Sequence, residues 1–420
     1  MANVSGFMPF GPCTATVRSS IVLIPAARSR SRCTGRMPAT SSRSRDATTS
    51  LSQVAHRPQA STPSSPRESP HEIAGSDTWQ EVETFAQRRK DWLARFLDLS
   101  NGVPSHDTFN RVFCALDPRQ FLNSFLSWTQ SVRAAIPGEI VALDGKALRR
   151  AIDSGAGPRC IVSAWAEDNG LVLGQLEVDG KSNEITAVPQ LLRALELSGC
   201  IVTLDAMGCQ KKIAREIKEA DAEYVLALKG NQSVVHQEVT TFLDETLAEK
   251  KKARPASAPV PKAAATLAEF ETVEKEHGRL ETRRYYLSDR LEWFEGASEW
   301  EGLRTVGMVE ATREIKGQTS VERRYYLSSL PLDVKNFARA VRGHWGIENK
   351  LHWVMDVVFG EDQSRARAGY AAQNLATLRR LALNLLKRER KKRSLRGKQL
   401  DAGWDNAYLL KVLGAELSTL

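Results

Sequence analysis

The chain has 420 residues, with 59 Lys and Arg against 50 Asp and Glu, for a net charge of +9. This length calls for two or three structural units, and positive charge gathered toward the two ends of the chain favours a polyanionic partner. The six Cys form no CxxC pair and no zinc-like spacing with His, and no apolar stretch approaches the ~18–20 residues of a membrane span. A structural metal, a disulfide framework and a membrane anchor are therefore not expected, and a reducing, cytoplasmic setting is.

Residues 1 to 72 are rich in Ser, Arg, Pro, Thr and Ala, carry no acid before Asp46 and show no hydrophobic periodicity. A disordered leader is expected; an Arg- and Ser-rich, acid-poor start also resembles an organellar transit peptide, the less favoured reading. From 73 to 137 the pattern is helical. Trp79, Val82, Phe85, Trp92, Leu93, Phe96 and Leu97 recur at three- and four-residue steps after Asp77 as a cap, and a second start follows Gly102 with Ser105 or Asp107 as its cap. A small helical domain of this kind can dock on DNA as helix-turn-helix units do, although helices that only pack are commoner.

Residues 138 to 250 read as three strands, a helix, a strand, a helix, a strand and a helix. The strands are 139–143, 159–165, 171–178, 200–204 and 224–228, and the helices 184–195, 211–220 and 234–250. That order predicts a mixed α/β sheet of RNase H-like type. Residues 251 to 331 open with a Lys, Ala and Pro-rich linker. Beyond it stand two near-copies, Glu281-Thr-Arg-Arg-Tyr-Tyr-Leu-Ser and Val321-Glu-Arg-Arg-Tyr-Tyr-Leu-Ser, each after a Gly turn. Both read as β-hairpins forming an all-β insertion, with the Tyr pairs as strand-packing residues. Residues 332 to 420 hold a helix with the third acid discussed below, a Leu-rich helix and a basic run of Lys387, Arg388, Arg390, Lys391, Lys392 and Arg393. Such a run is a solvated tail or, beside a phosphodiester site, a grip on DNA backbone.

Three acids stand out. Asp144 closes Glu139-Ile-Val-Ala-Leu, Asp205 closes Ile201-Val-Thr-Leu, and Glu348 lies in His344-Trp-Gly-Ile-Glu-Asn. An Asp at a strand end is usually a turn or cap residue. Glu348 shares a helical stripe with Phe337, Val341, Trp345 and His352, where burial of a lone carboxylate is costly and a metal offsets the cost. Carboxylates brought together from distant parts of a chain can hold two Mg²⁺ ions (or Mn²⁺) roughly 3.5–4 Å apart for phosphodiester chemistry. The segment Lys229-Gly-Asn231-Gln can offer an ammonium and backbone N–H groups to a phosphate, although a Gly-Asn turn is ordinary loop chemistry. Asp356, Glu361 and Asp362 read as a solvated loop.

The runs Val141-Ala-Leu-Asp-Gly-Lys, Lys181-Ser-Asn-Glu-Ile-Thr, Thr203-Leu-Asp-Ala-Met-Gly-Cys-Gln, Leu226-Ala-Leu-Lys-Gly-Asn-Gln and His344-Trp-Gly-Ile-Glu-Asn-Lys-Leu-His-Trp resemble the DDE transposases of bacterial insertion sequences, in the branch of the H-repeat-associated proteins. The resemblance runs from about residue 75 to the C-terminus. It implies that Asp144, Asp205 and Glu348 are a metal-binding catalytic triad on an RNase H-like core, that His352 supports them, and that the partner is double-stranded DNA, both element ends and target, held by a homo-oligomer at the nucleoid. Related transposases carry Tyr, Arg and Lys around the third acid, where this chain has Val341, His344 and Met355. Phosphate contacts are then expected from Lys350, Arg342 or Lys229. The stretch ahead of Thr78 also departs from the family. This keeps open a catalytically inactive DNA-binding remnant; a metal-dependent nuclease without strand transfer is the other alternative.

Overall fold

The computed structural model describes residues 73–74, 76, 78–148, 159–179, 184–252, 267–276 and 279–414. The expectations for the leader and for most of the linker fall outside them. Helix α1 (Trp79–Arg88) is capped by Thr78 rather than by Asp77. The Thr78 hydroxyl accepts from the Glu81 amide while the Glu81 carboxylate accepts from the Thr78 amide, a capping box in which each side chain satisfies a donor the helix leaves open. A short α2 (Lys90–Leu93) follows. Ser105 caps α3 (His106–Ala115), and Asp117 with Pro118 starts α4 (Pro118–Val132).

Among the described residues nine strands form a single mixed sheet in the order β3-β2-β1-β4-β5-β9-β8-β7-β6. Strands β1 (Ile140–Ala147), β2 (Arg159–Ala166) and β3 (Leu171–Asp179) are an antiparallel meander, and β4 (Ile201–Leu204) and β5 (Glu223–Leu228) run parallel to β1. The parallel crossovers carry α5 (Glu184–Ala194) and α6 (Lys211–Glu219), and α7 (Ser233–Lys252) follows β5.

The insertion is two hairpins, β6 (Ala268–Glu276) with β7 (Arg279–Ser288) and β8 (Thr305–Ile315) with β9 (Gln318–Ser328). It does not fold apart from the core, because β9 pairs antiparallel with β5, matching Leu228 with Tyr325. The paired tyrosines Tyr285, Tyr286, Tyr325 and Tyr326 are buried in the packing.

Strand alternation divides the core. Val141 and Leu143 pack toward α5 and α6, and Ala142 packs toward the C-terminal helices. Those helices are α8 (Val334–Ile347), α9 (Trp353–Val357), α10 (Ala371–Arg388), α11 (Leu395–Trp404) and α12 (Asn406–Val412). Two glycines let α8 sit close to the sheet. A Cβ at Gly343 would meet the Ile140 side chain at 2.6 Å, and one at Gly346 would overlap the Glu167 carboxylate. Helix α10 is fastened to β3 by Asn384, whose amide exchanges two 2.8 Å bonds with the backbone of Val172. Among the described residues no helix is long and apolar enough to cross a membrane.

Candidate active site

Asp144 lies inside β1, which runs on to Ala147, and does not close the strand as its sequence context suggests. Ladder pairing with β2, Asp144 opposite Ser163, continues the strand beyond the apolar run. Leu143 pairs with Leu204 across the parallel β1–β4 ladder, so Asp144 and Asp205 follow matched positions on neighbouring strands, which lie only ≈ 4.7–4.9 Å apart. Both acids line one small cavity with Gly145, Met207 and Gly208. One Asp205 oxygen accepts from the amides of Met207 at 3.0 Å and Gly208 at 3.4 Å, which fixes the carboxylate at the mouth of the turn. Asn231 braces that turn, its amide donating to the Ala206 carbonyl at 2.7 Å, and Gln232 does the same at Cys209. Lys229 is exposed beside them.

Glu348 comes from the C-terminal helices that pack on the Ala142 face of the sheet. Residues Glu348–His352 form a π-helical segment between α8 and α9, an irregularity frequent at functional sites. The stripe that the sequence predicts is broken before that segment, at Trp345, which is exposed. Phe337 and Val341 are buried as expected, but the Glu348 side chain is 57% exposed, so the expected cost of burying it does not arise. Ligand atoms of Asp144, Glu348 and His352 all lie within 4.8 Å of one another. His352 is buried, with Nδ1 3.1 Å from Glu348 and 3.5 Å from Asp144. Burial lowers its pKa, against the pull of Glu348. Burial also takes His344 down to about 4 despite the nearby Asp205, and its Nδ1 lies 3.0 Å from the Thr203 hydroxyl. Burial thus disfavours the charged form of both imidazoles behind the carboxylates.

A second polar group adjoins the first. Lys146, two residues past Asp144 on the same strand face, is buried, and its ammonium lies 2.6 Å from Asp356, 3.0 Å from Asp362 and 3.6 Å from Glu361. Burial opposes its charge, but the three acids outweigh burial and raise its pKa. Arg380 reaches Glu361 at 2.5 and 3.3 Å with both side chains out of solvent. Burial works against the Glu361 carboxylate, yet Arg380 and Lys146 hold its pKa down at about 2. The expected solvated loop is thus an ion cluster with Lys146, Glu361 and Arg380 buried and Asp356 and Asp362 half-buried. It escapes sequence reading because the partners that make burial tolerable come from β1 and α10.

A family model described as "Transposase DDE domain" matches residues 138–385, and one described as "DDE_Tnp_1-associated" matches residues 72–129. The chain belongs to the DDE transposase family. This transposase is 41% identical over 321 residues to "Putative transposase YncI" of Escherichia coli O157:H7, covering 75% of this chain and 79% of the relative. It is 36% identical over 355 residues to "H repeat-associated putative transposase YhhI" of E. coli strain K12, covering 82% and 90%. Among solved structures it has a distant likeness to a piggyBac transposase in a synaptic complex with hairpin DNA (TM-score 0.38, 12% identity, covering 81% of this chain and 72% of that one).

The basic groups of the transposase are less free than their sequence suggests. Lys350 pairs with Glu167, and Arg342 lies 3.3 Å from Glu274. In the C-terminal run, Lys391 and Arg393 are both held by Asp401, at 2.9 and 2.7 Å. Lys387 lies over the Trp165 ring at 4.8 Å, and burial, with Lys350 adding to it, lowers its pKa to about 8. Arg388 lies over Trp128 at 5.9 Å, while Arg390 and Lys392 are exposed. Lys146 and His344 are the site residues that sequence reasoning passed over. Their signal was present in Asp144-Gly-Lys146 and in His344-Trp-Gly-Ile-Glu348, two short runs that each place an ionisable residue within one turn or pleat of an acid.

Proposed function

We propose that this transposase cuts phosphodiester bonds at the ends of its own mobile element with a divalent metal, Mg²⁺ or Mn²⁺, and then joins the freed 3′-OH to target DNA. The observation that carries this reading is the convergence of Asp144, Glu348 and His352 within 4.8 Å, beside Asp205 at the matched position of the next strand. The donor set fits the metal: carboxylate oxygens suit Mg²⁺ and Mn²⁺. Asp144, Asp205 and Glu348 are the ligands in this reading, and two ions held there would activate the attacking oxygen and stabilise the leaving one.

The remaining steps belong to the chain. His352 meets Glu348 through Nδ1 at 3.1 Å and fixes the carboxylate's direction, as imidazole–carboxylate pairs do around metals. The amides of Met207 and Gly208 hold Asp205, and Asn231 braces their turn through the Ala206 carbonyl. The exposed side of Glu348 leaves a DNA strand room to reach the acids. Arg390 and Lys392 supply backbone contacts that position DNA without reading its sequence, and the element ends are brought together by a homo-oligomer at the nucleoid.

The test is a strand-nicking and strand-transfer assay on duplexes bearing the element's terminal repeats, with Mg²⁺ or Mn²⁺. The expected outcome is nicking at the 3′ strand ends followed by joined products, both absent in Asp205→Asn. Nicking without joined products would leave a nuclease. Binding of the ends with no cleavage would leave an inactive remnant.

A further inference from the structure

We infer that Lys146 is a positioning residue for the metal site: by drawing Asp356, Glu361 and Asp362 onto β1, it sets where Glu348 and His352 stand relative to Asp144. This rests on the metal-dependent reading of the same site. After the π-helical segment Glu348–His352 the backbone continues through α9, turns at Gly360 in the left-handed region (φ 56°) and enters a 3-10 turn at Glu361–Gln363. A π turn lacks the regular i→i−4 ladder that fixes an α-helix, so its place against the sheet depends on what grips the chain on either side. On the N-terminal side the grip is the close approach of Gly343 and Gly346 to β1 and β2. On the C-terminal side the polar contacts are those of Lys146 with Asp356, Asp362 and, more distantly, Glu361, and that of Arg380 with Glu361.

Lys146 is suited to this and not to touching DNA. Its side chain is 9% exposed, and its ammonium is already shared among three carboxylates. It stands two residues from Asp144 in the same strand, so the two side chains share a face about 6–7 Å apart along it. One rigid strand thus carries both a ligand to the metal and the anchor for the segment that brings the other ligand. Arg380 completes the clamp by holding Glu361 from α10. Met355 and Phe359 are buried in the same stretch, but apolar contact is not directional and does not by itself fix a carboxylate to a few tenths of an ångström.

The test is Mn²⁺ binding to the full chain without DNA, followed by electron paramagnetic resonance of the free ion, alongside amide hydrogen exchange of the metal-free protein. Wild type must bind Mn²⁺ and Asp144→Asn must bind it more weakly. If wild type binds none, the metal reading of the site fails, whatever Lys146 does. Given binding, Lys146→Met is expected to weaken it about 10–100-fold, the scale for losing a group that orients a ligand. Exchange should rise in residues 348–357 and stay unchanged in the β8–β9 hairpin, with partial recovery of both in Lys146→Arg. Arg133→Met, which breaks the buried Arg133–Glu139 pair near the other end of β1, controls for lost stability and should bind Mn²⁺ as wild type does. A folded Lys146→Met with wild-type Mn²⁺ affinity overturns the inference. If Lys146→Met fails to fold, Asp362→Asn decides instead, since it removes one of three acids: weakened binding supports the inference and unchanged binding overturns it.

Discussion

Near one end of β1, just before the strand begins, the Glu139 carboxylate has no solvent exposure and every oxygen is met. Arg133 donates twice to one oxygen, at 2.7 and 3.0 Å, and Asn169 donates its backbone and side-chain N–H to the other at 2.9 and 2.8 Å. Toward the other end, Asp144 is 27% exposed and faces a second carboxylate, Glu348, and an imidazole. A buried carboxylate is tolerable when its hydrogen bonds are complete. Bringing two carboxylates together at an accessible edge does nothing for stability. The contrast within one strand separates acids that hold the fold from acids that wait for a cation, and Lys146 marks the boundary, since its cluster is built like the Glu139 end yet lies beside the Asp144 end.

Asp144→Asn tests that contrast most severely. Nicking of element ends should fall on the order of 10²–10³-fold or more, as for loss of a preorganised electrostatic group, while the thermal midpoint stays near that of wild type. A large drop in the midpoint would show Asp144 to be another Glu139. Breaking the buried pairs should do the reverse. Arg133→Met and Glu361→Gln are each expected to cost about 3–5 kcal/mol in urea unfolding, because each strands a buried charge, and values near zero for either would remove it from the structural class.

Acid sharpens the same contrast. The folded pKa of Glu361, about 2, lies below its ordinary value of 4.5, so its contribution is fully present above pH 4.5 and is lost as pH falls toward 2. The difference amounts to about 3 kcal/mol. Unfolding free energy of the metal-free protein followed across that window should fall steeply in wild type and less so in Glu361→Gln; parallel curves would contradict the assignment.

The smallest effect belongs to the C-terminal run. Neutralising Arg390 and Lys392 should reduce the slope of log affinity against log salt by up to about 0.9 for each phosphate that loses its cation, with end preference retained. Lys391 and Arg393, already held by Asp401, should contribute less. An unchanged slope would make the run a solvated surface.

The elements of the core were legible because their signals are local. Buried-type strands at 159–166 and 171–179 and helices at 184–194 and 211–219 stand within a residue or so of where apolar runs and periodicity predict them, and a sheet of RNase H-like type makes β1 and β4 neighbours, as they are. Three features were not legible, each for a physical reason. The exposure of Glu348, like that of Trp345 on the same stripe, depends on what the folded chain places over that end of α8, which a 3.6-residue period does not reveal. Burial of Glu361 depends on Arg380 and Lys146, partners whose proximity arises only on folding. The joining of the hairpins to the core depends on β5 and β9, strands about a hundred residues apart whose pairing leaves no mark in either segment. The pairing of Lys350 with Glu167 and of Arg342 with Glu274 was likewise not legible, since those carboxylates lie just past β2 and on β6.

The β5–β9 seam also gives the insertion a second occupation. Without it β5 would end the sheet, and a strand as apolar as Tyr224-Val-Leu-Ala-Leu228 would present a bare row of amides and carbonyls. Such an edge recruits other chains. The insertion moves that end of the sheet from β5 out to β6, whose sequence Ala268-Glu-Phe-Glu-Thr-Val-Glu-Lys-Glu276 is a charged border in place of an apolar one. A transposase trimmed to its catalytic strands would accordingly be expected to aggregate, and shortening this protein safely means replacing that border as well as removing it.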